Sequence, residues 1–395
     1  MYEYANGEYG DGSLLTPQRI PMPNREMVTL ADYRTRHAQY KTDPDLQECH
    51  RQHPFITIWD DHEFADDAFM DGADNHQPDT EGEWAARKVA AQQAYFEWMP
   101  IRPSRFFDDF ETPAEVERTW RVYRRFRFGD LMDLIMLDTR VIGRDQQAGG
   151  PADKRTFTDP TRSLLGQLQE QWFFKQLAQS QERGATWRLL GQQVMMGHLK
   201  VPPGDPILLP IDQRPPVTLN VDQWDGYQPA RDRVFQQIQQ NGIGNLVVLT
   251  GDIHTSWGQE ISTNPYDPAV YNPRDPKRAP LGVEFVCPGV TSPGITDSKK
   301  ARLAEAAALR TQPHLSFANF EKRGYILIDI DGSRTQAEWY FMDTITERRA
   351  SETFGGARKT DAGTNRLDEV VWLSSPKPNP PALAPSAGLM TSRES

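Results

Sequence analysis

Leu246-Val247-Val248-Leu249-Thr250-Gly251-Asp252-Ile253-His254-Thr255-Ser256-Trp257 is the stretch whose reading decides the fold. Its first four residues are apolar and rich in β-branched valine, a run too short for a helix, and they read as a buried strand. Gly251 breaks the run, and Asp252 and His254 follow with one residue between them. In an open α/β sheet the carboxyl ends of strands are where ligands bind. If the backbone stays extended, Asp252 and His254 point to one side and can aim at a single point. A carboxylate with an imidazole is a hydrolytic metal-site pairing. The same two residues also suit a turn-capping Asp beside a surface His.

A second run repeats the pattern. Pro54-Phe55-Ile56-Thr57-Ile58-Trp59 reads as another strand and delivers Asp60-Asp61-His62-Glu63. Four consecutive ionisable groups after so apolar a run would repel and desolvate one another unless a cation or hydrogen bonds held them. Two strands that end in Asp/His clusters point to a shared metal centre.

The totals narrow the class. The chain has 395 residues, enough for a large core, and its 10 Trp, 18 Phe and 12 Tyr argue for a folded globule. A net charge of −11 speaks against a nucleic-acid scaffold role and gives no membrane-surface signal. Cys49 and Cys287 are too few for a disulfide framework. No apolar run approaches the length of a transmembrane helix. Met1 to Gly7 has neither the basic nor the apolar region of a signal peptide and reads like the middle of a protein.

Taken in order, residues 1–26 read as loop and 28–53 as helical, followed by the first strand and an acidic loop, 66–82, placed to hover over a site. Trp84 to Trp98 and the stretch around Leu164, Leu168 and Trp172 are amphipathic helices. Asp133 to Leu137 is a strand that delivers Asp138-Thr139-Arg140, and Trp187 to His198 is another. Residues 200–230 are a Pro-rich excursion ending at Trp224-Asp225-Gly226-Tyr227. A helix from about Arg231 to Gln240 leads into the strand at 246. Strands at Glu260–Ser262 and Gly282–Cys287 follow, then a helix from Ala301 to Arg310. Tyr325–Ile330 and Thr335–Phe341 flank Asp331-Gly332-Ser333 as a hairpin. Helices alternating with strands make this an α/β (α+β mixed) chain. Residues 1–345 read as one domain and 346–375 as a C-terminal extension. Residues 376–395 read as a disordered Pro-rich tail.

Six stretches carry a resemblance: TIWDDHE (57–63), AQQAYFEWMPIRP (91–103), FRFGDLMDLIMLDTR (126–140), WRLLGQQVMM (187–196), WDGY (224–227) and VVLTGDIHTSW (247–257). In these the chain resembles the PhoD-like alkaline phosphatases, a branch of the calcineurin-like metallophosphoesterases. The resemblance implies a four-layer αββα sandwich and hydrolysis of phosphate mono- or diesters. It places Asp61, Asp252 and His254 on metal, His62 beside the leaving oxygen and Tyr2 as a phenolate ligand to iron, and it implies Fe3+ with Ca2+. Other divalent cations suit an oxygen-rich ligand set as well. Arg140 could bind a phosphate bidentately, or equally pair with Asp138 or Glu63. Asp60 is expected to orient a ligand, and His198 to be structural.

By the same resemblance, Met1 falls inside the family's GDYIYEY segment. A bridging Asp, an Asp-Cys strand and a small β domain of the family are then absent from this sequence. The expectation is a sheet lacking its first strands, with the runs at 54–59 and 246–250 left without neighbours and activity low. An inactive truncated remnant or a partial cation-binding protein is the alternative. The partner implied is a small phosphate-ester substrate, and the chain reads as a monomer. Periplasmic or extracellular placement would follow from an upstream signal peptide.

Overall fold

The computed structural model describes residues 1–102, 121–201 and 217–385. Its strands in chain order are β1 (Arg124–Phe128), β2 (Met132–Met136), β3 (Trp187–Gly191), the short pair β4 (Lys200–Val201) and β5 (Val217–Thr218), β6 (Leu246–Thr250), β7 (Ser256–Ile261), β8 (Gly282–Val286) and β9 (Leu315–Asn319). Seven of them form one sheet in the order β1-β2-β3-β6-β8-β7-β9. The centre, from β2 through β3 and β6 to β8, is parallel, and the flanking pairs are antiparallel.

Parallel strands are covered on both faces, and alternation along β6 shows how. Leu246 and Val248 pack with Leu190 under the helices Gly166–Glu182 and Gln228–Gln240, through Phe173, Leu177, Val234 and Phe235. Val247 faces the other way, with Leu189, Val283 and Phe285, onto Ala337, Trp339 and Phe341 of a second sheet. That sheet is antiparallel and runs β10 (Gly324–Ile330), β11 (Arg334–Met342), β12 (Glu352–Asp361), β13 (Asp368–Val370). The β10–β11 hairpin turns where Asp331 Oδ1 accepts from the amides of Ser333 (2.6 Å) and Arg334 (2.9 Å). Residues 346–375 thus supply β12 and β13 to the sheet begun by the hairpin. A helix–sheet–sheet stack results, in keeping with the α/β class.

Beside the stack, the helices Leu30–Tyr40 and Trp84–Trp98 enclose Tyr33, Trp59, Phe64, Ala91 and Tyr95. The polar region 28–53 is two helices rather than one, because Asp43 caps a new start with Pro44 at its first position. The loop 66–82 is tied against the body of the protein, its first residues beside Asp61 and His62. Asp66 and Asn75 bond inward to Tyr4 and Glu3, and Glu81 pairs with Arg87 of the neighbouring helix.

Three strand expectations need correction. Pro54–Trp59 joins no ladder among the described residues; side chains satisfy its backbone instead, Arg124 donating to the Thr57 carbonyl (2.6 Å) and Gln193 to that of Trp59 (2.7 Å). β3 stops at Gly191, and residues 192–199 run on as loop. β6 is not left without neighbours, since β3 and β8 bond to both its edges. Residues 202–216 of the Pro-rich excursion, Pro103 and residues 386–395 of the tail lie outside the described residues. Residues 376–385 form no helix or strand, though Arg51 and Gln52 hydrogen-bond to Ala384.

Candidate functional site

The acidic run after Trp59 folds into a single tight turn, Asp61–Glu63. Asp60 caps it, accepting from the Asp61 amide (3.0 Å), while Glu63 reaches back to the Asp60 amide (2.8 Å). This fixes where the carboxylates point. Asp61 is buried and takes the amides of His62 (2.9 Å) and Asp67 (3.0 Å), one on each oxygen.

The second loop, between β6 and β7, is not extended. Asp252 (φ 64°) and His254 (φ 55°) both sit in the left-handed region, which costs about 1–2 kcal/mol per non-glycine residue. Their side chains therefore diverge, contrary to the alternation argument. Asp252 turns to Arg140 and Gln223. His254 is gripped between the hydroxyls of Tyr2 (3.0 Å) and Tyr9 (3.1 Å). Asp252 nevertheless reaches the first loop: Asp60, Asp61 and Asp252 place one oxygen each within 4.8 Å of one another. Asp61, His62 and Asp66 form a second such group.

Arg140 sits fully buried in the middle. Its Nε donates to Asp60 (2.7 Å), its Nη1 to both oxygens of Asp222 (3.0 Å each), and its Nη2 pairs with Asp252 and, at 3.6 Å, with Asp61. Each of its three nitrogens hydrogen-bonds a carboxylate, so the guanidinium is committed to the acidic cluster rather than held out to a phosphate. Neither expected partner pairs with its guanidinium: Glu63 is not among them, and Asp138 instead accepts the backbone amides of Arg140 (2.8 Å) and Val141 (3.0 Å) and the Trp59 indole (2.9 Å). Arg144 joins from the far side, also pairing with Asp222.

Negative charge outweighs positive here. Burial raises the pKa of Asp252 well above the carboxylate range; Arg140 opposes the rise, and Asp60, Asp222 and Asp61 add to it. Burial likewise lifts Asp67 to about 8, with Asp222 the next cause, and Asp60 to about 6 against the pull of Arg140. Asp61 goes down, because Arg140 and His62 outweigh its burial. A cluster that raises its own carboxylates in this way gains from a cation among them. The donors are oxygens, so the residues present fit hard cations.

His62 is the imidazole of the first loop. Its Nδ1–H donates to Glu3 (2.8 Å), which is fully buried and also accepts from the Asp66 amide (2.7 Å) and Asn75 (3.0 Å). Burial opposes its charge, yet Asp61 and Glu3 prevail and raise its pKa to about 9. Its ring lies against Tyr2 (centroids 4.2 Å), with Tyr9 and Tyr4 stacked beyond. Tyr2 donates to Ser292 Oγ (2.5 Å), and burial raises its pKa. His198 is tied to Arg231 and to the Thr263 carbonyl, away from these loops. Sequence reasoning missed Glu3, Tyr9, Asp66, Asp222 and Gln223. Only Glu3, between two tyrosines, and the pair before Trp224 carried a signal.

The chain is similar to known proteins in sequence and in fold. The PhoD-like phosphatase model matches residues 1–339. Alkaline phosphatase D of Bacillus subtilis (strain 168) is 32% identical over 357 residues, which is 89% of this chain and 54% of that protein. A solved structure of PhoD superposes with a TM-score of 0.75 at 30% identity, covering 95% of this chain and 65% of the other. The chain spans about half the length of the curated relative it matches.

Proposed function

The chain belongs to the PhoD-like phosphatase family, and from that premise we propose that it hydrolyses small phosphate mono- or diesters with the help of bound metal ions. The observation that carries the proposal is the convergence of Asp60, Asp61 and Asp252, from two loops far apart in sequence, within 4.8 Å of one another beside a histidine that favours its charged form. Asp60, Asp61 and Asp252 would hold the metal, and Tyr2 and His254, hydrogen-bonded to each other, stand on the His62 side of the site. Metal ions so held supply Lewis acidity and offset the charge of the phosphoryl oxygens. Fe3+ with Ca2+ is the pair the family resemblance carries.

The chain's own residues do the rest. Glu3 holds His62 by Nδ1, so that Nε2 keeps a proton to give to the leaving oxygen. Arg140 and Gln223 hold the carboxylates of Asp60, Asp61 and Asp252 in their mutual positions before substrate arrives. The test is turnover of p-nitrophenyl phosphate and of its bis ester by the 395-residue chain supplied with iron and Ca2+, from pH 6 to 10. Turnover that a chelator removes supports the reading, and a folded, metal-loaded protein inert on both esters rejects it.

A further inference from the structure

With Arg140 and Arg144 both engaged by carboxylates, neither guanidinium within the cluster is offered to an anionic substrate, yet another stands beside it. Arg323, just before β10, is 5% exposed. Its Nε donates to the Ser292 carbonyl and its Nη1 to those of Glu321 (2.9 Å) and Lys322 (3.0 Å). Among the described residues no carboxylate pairs with it, and its Nη2 has no acceptor. Other buried arginines closed by carbonyls, Arg36 and Arg188, bond through both Nη1 and Nη2. Nη2 of Arg323 is not among the buried atoms left without a partner, so this donor of a guanidinium that lacks a counter-charge is open to an incoming anion.

Its position says what would. Ser292 offers its carbonyl to Arg323 and its hydroxyl to Tyr2, whose own hydroxyl lies 3.0 Å from His254. Arg323 is therefore one residue removed from the Tyr2–His254 side of the acidic cluster. Burial lowers its pKa, and the charges acting to raise it are those of Tyr2 and Tyr9. Gly294 lies so close that a Cβ there would overlap Nη2 and Cζ, so a glycine at 294 is what lets the guanidinium occupy this place.

Resting on the phosphatase reading above, we propose that Arg323 is a substrate-binding residue whose Nη2 donates to an anionic phosphoryl oxygen of the ester. A planar guanidinium suits that geometry, and a charge-assisted hydrogen bond to phosphate is among the strong ones.

Arg323→Met, Arg323→Lys and Gly294→Ala test this in the 395-residue, metal-supplied chain. Two quantities are read: the Kd of inorganic phosphate by calorimetry, and KM against kcat on p-nitrophenyl phosphate. Arg323→Met is expected to weaken phosphate binding and raise KM by about tenfold or more, with kcat changing less. Gly294→Ala displaces the guanidinium without removing it and should shift both in the same direction, while Arg323→Lys retains part of the affinity. A purely structural role would lower the melting temperature and leave phosphate affinity of the folded protein unchanged, and that result overturns the proposal. If Arg323→Met does not fold, unchanged Kd in both other variants overturns it. A wild-type chain that turns over neither ester defeats the phosphatase reading, but phosphate binding weakened in the variants would still sustain Arg323 as the anion site. A wild-type chain that binds no phosphate overturns the proposal itself.

Discussion

Replacing Arg140 by Met should destabilise the protein in the absence of cations, and adding Ca2+ should restore part of the loss. Arg140 is fully buried and neutralises Asp60, Asp61, Asp222 and Asp252 at once. Methionine fills much of the same volume but leaves those carboxylates with Arg144 and His62 alone. Breaking a buried ion pair costs about 3–5 kcal/mol when a charge is left unpaired. At about 2.1 cal/mol/K of unfolding entropy per residue, a chain of 395 residues converts this into a melting temperature lower by about 4–6 °C. The carboxylates so exposed to one another should bind a divalent cation more readily than in the wild type. Ca2+ at 100 times its dissociation constant returns about 2.7 kcal/mol, or about 3 °C. Differential scanning calorimetry in EDTA and in Ca2+, on both proteins, reads each number. An unchanged melting temperature in EDTA, or a loss that Ca2+ leaves untouched, refutes the claim that Arg140 stands among carboxylates short of positive charge.

Glu3→Gln removes the carboxylate that holds His62 Nδ1 and supports its charge, so kcat should fall about tenfold, more for alkyl than for nitrophenyl phosphates, if His62 protonates the leaving oxygen. Equal losses for both leaving groups would show that Glu3 serves only the fold. Gln193→Leu strips one amide that joins Trp59, Thr139 and, through its backbone, Gly251, leaving the Thr139 amide and the Trp59 carbonyl unpaired at about 1–3 kcal/mol each. Its urea midpoint should drop and its turnover fall with it; a wild-type midpoint would contradict this. His314 is held neutral by burial, its pKa lowered to about 3 against about 6.5 unfolded. The unfolded chain alone takes up a proton below pH 6.5, so stability is full above 6.5 and lost toward pH 3 at about 1.4 kcal/mol per unit. His314→Gln should flatten that slope between pH 6.5 and 5 in denaturant titrations, and an unaltered slope would rule His314 out as a source.

The frame was legible where local chemistry and tertiary role coincide. Leu246–Thr250 is a strand because its β-branched residues suit a sheet buried on both faces, and Asp331-Gly332-Ser333 turns as its composition dictates. Pro54–Trp59 misled because apolarity reports burial and not pairing: Trp59 is buried, but the partners of this backbone are the side chains of Arg124 and Gln193. Asp252 and His254 misled for the opposite reason. Their spacing implied a common direction only for an extended chain, and positive φ at both residues removed that premise. The motifs located the acidic clusters, yet the partners of Arg140 come from residues 60, 61, 222 and 252, a set that only the closed fold assembles. Tyr9 and Arg323 lie in stretches with no period or motif, and their nearness to His254 and Tyr2 is tertiary alone.

Metal content measured together with turnover tests the central claim most directly. The wild-type chain, Asp61→Asn and Asp252→Asn are each equilibrated with iron and Ca2+, dialysed, analysed by inductively coupled plasma mass spectrometry, and assayed on p-nitrophenyl phosphate. Each substitution removes one oxygen donor of the Asp60–Asp61–Asp252 group while leaving the apolar segment before it packed. The account predicts metal retained by the wild type, lost from both variants, and turnover lost with it while both variants still melt cooperatively. Wild-type metal content and turnover in either variant would contradict it.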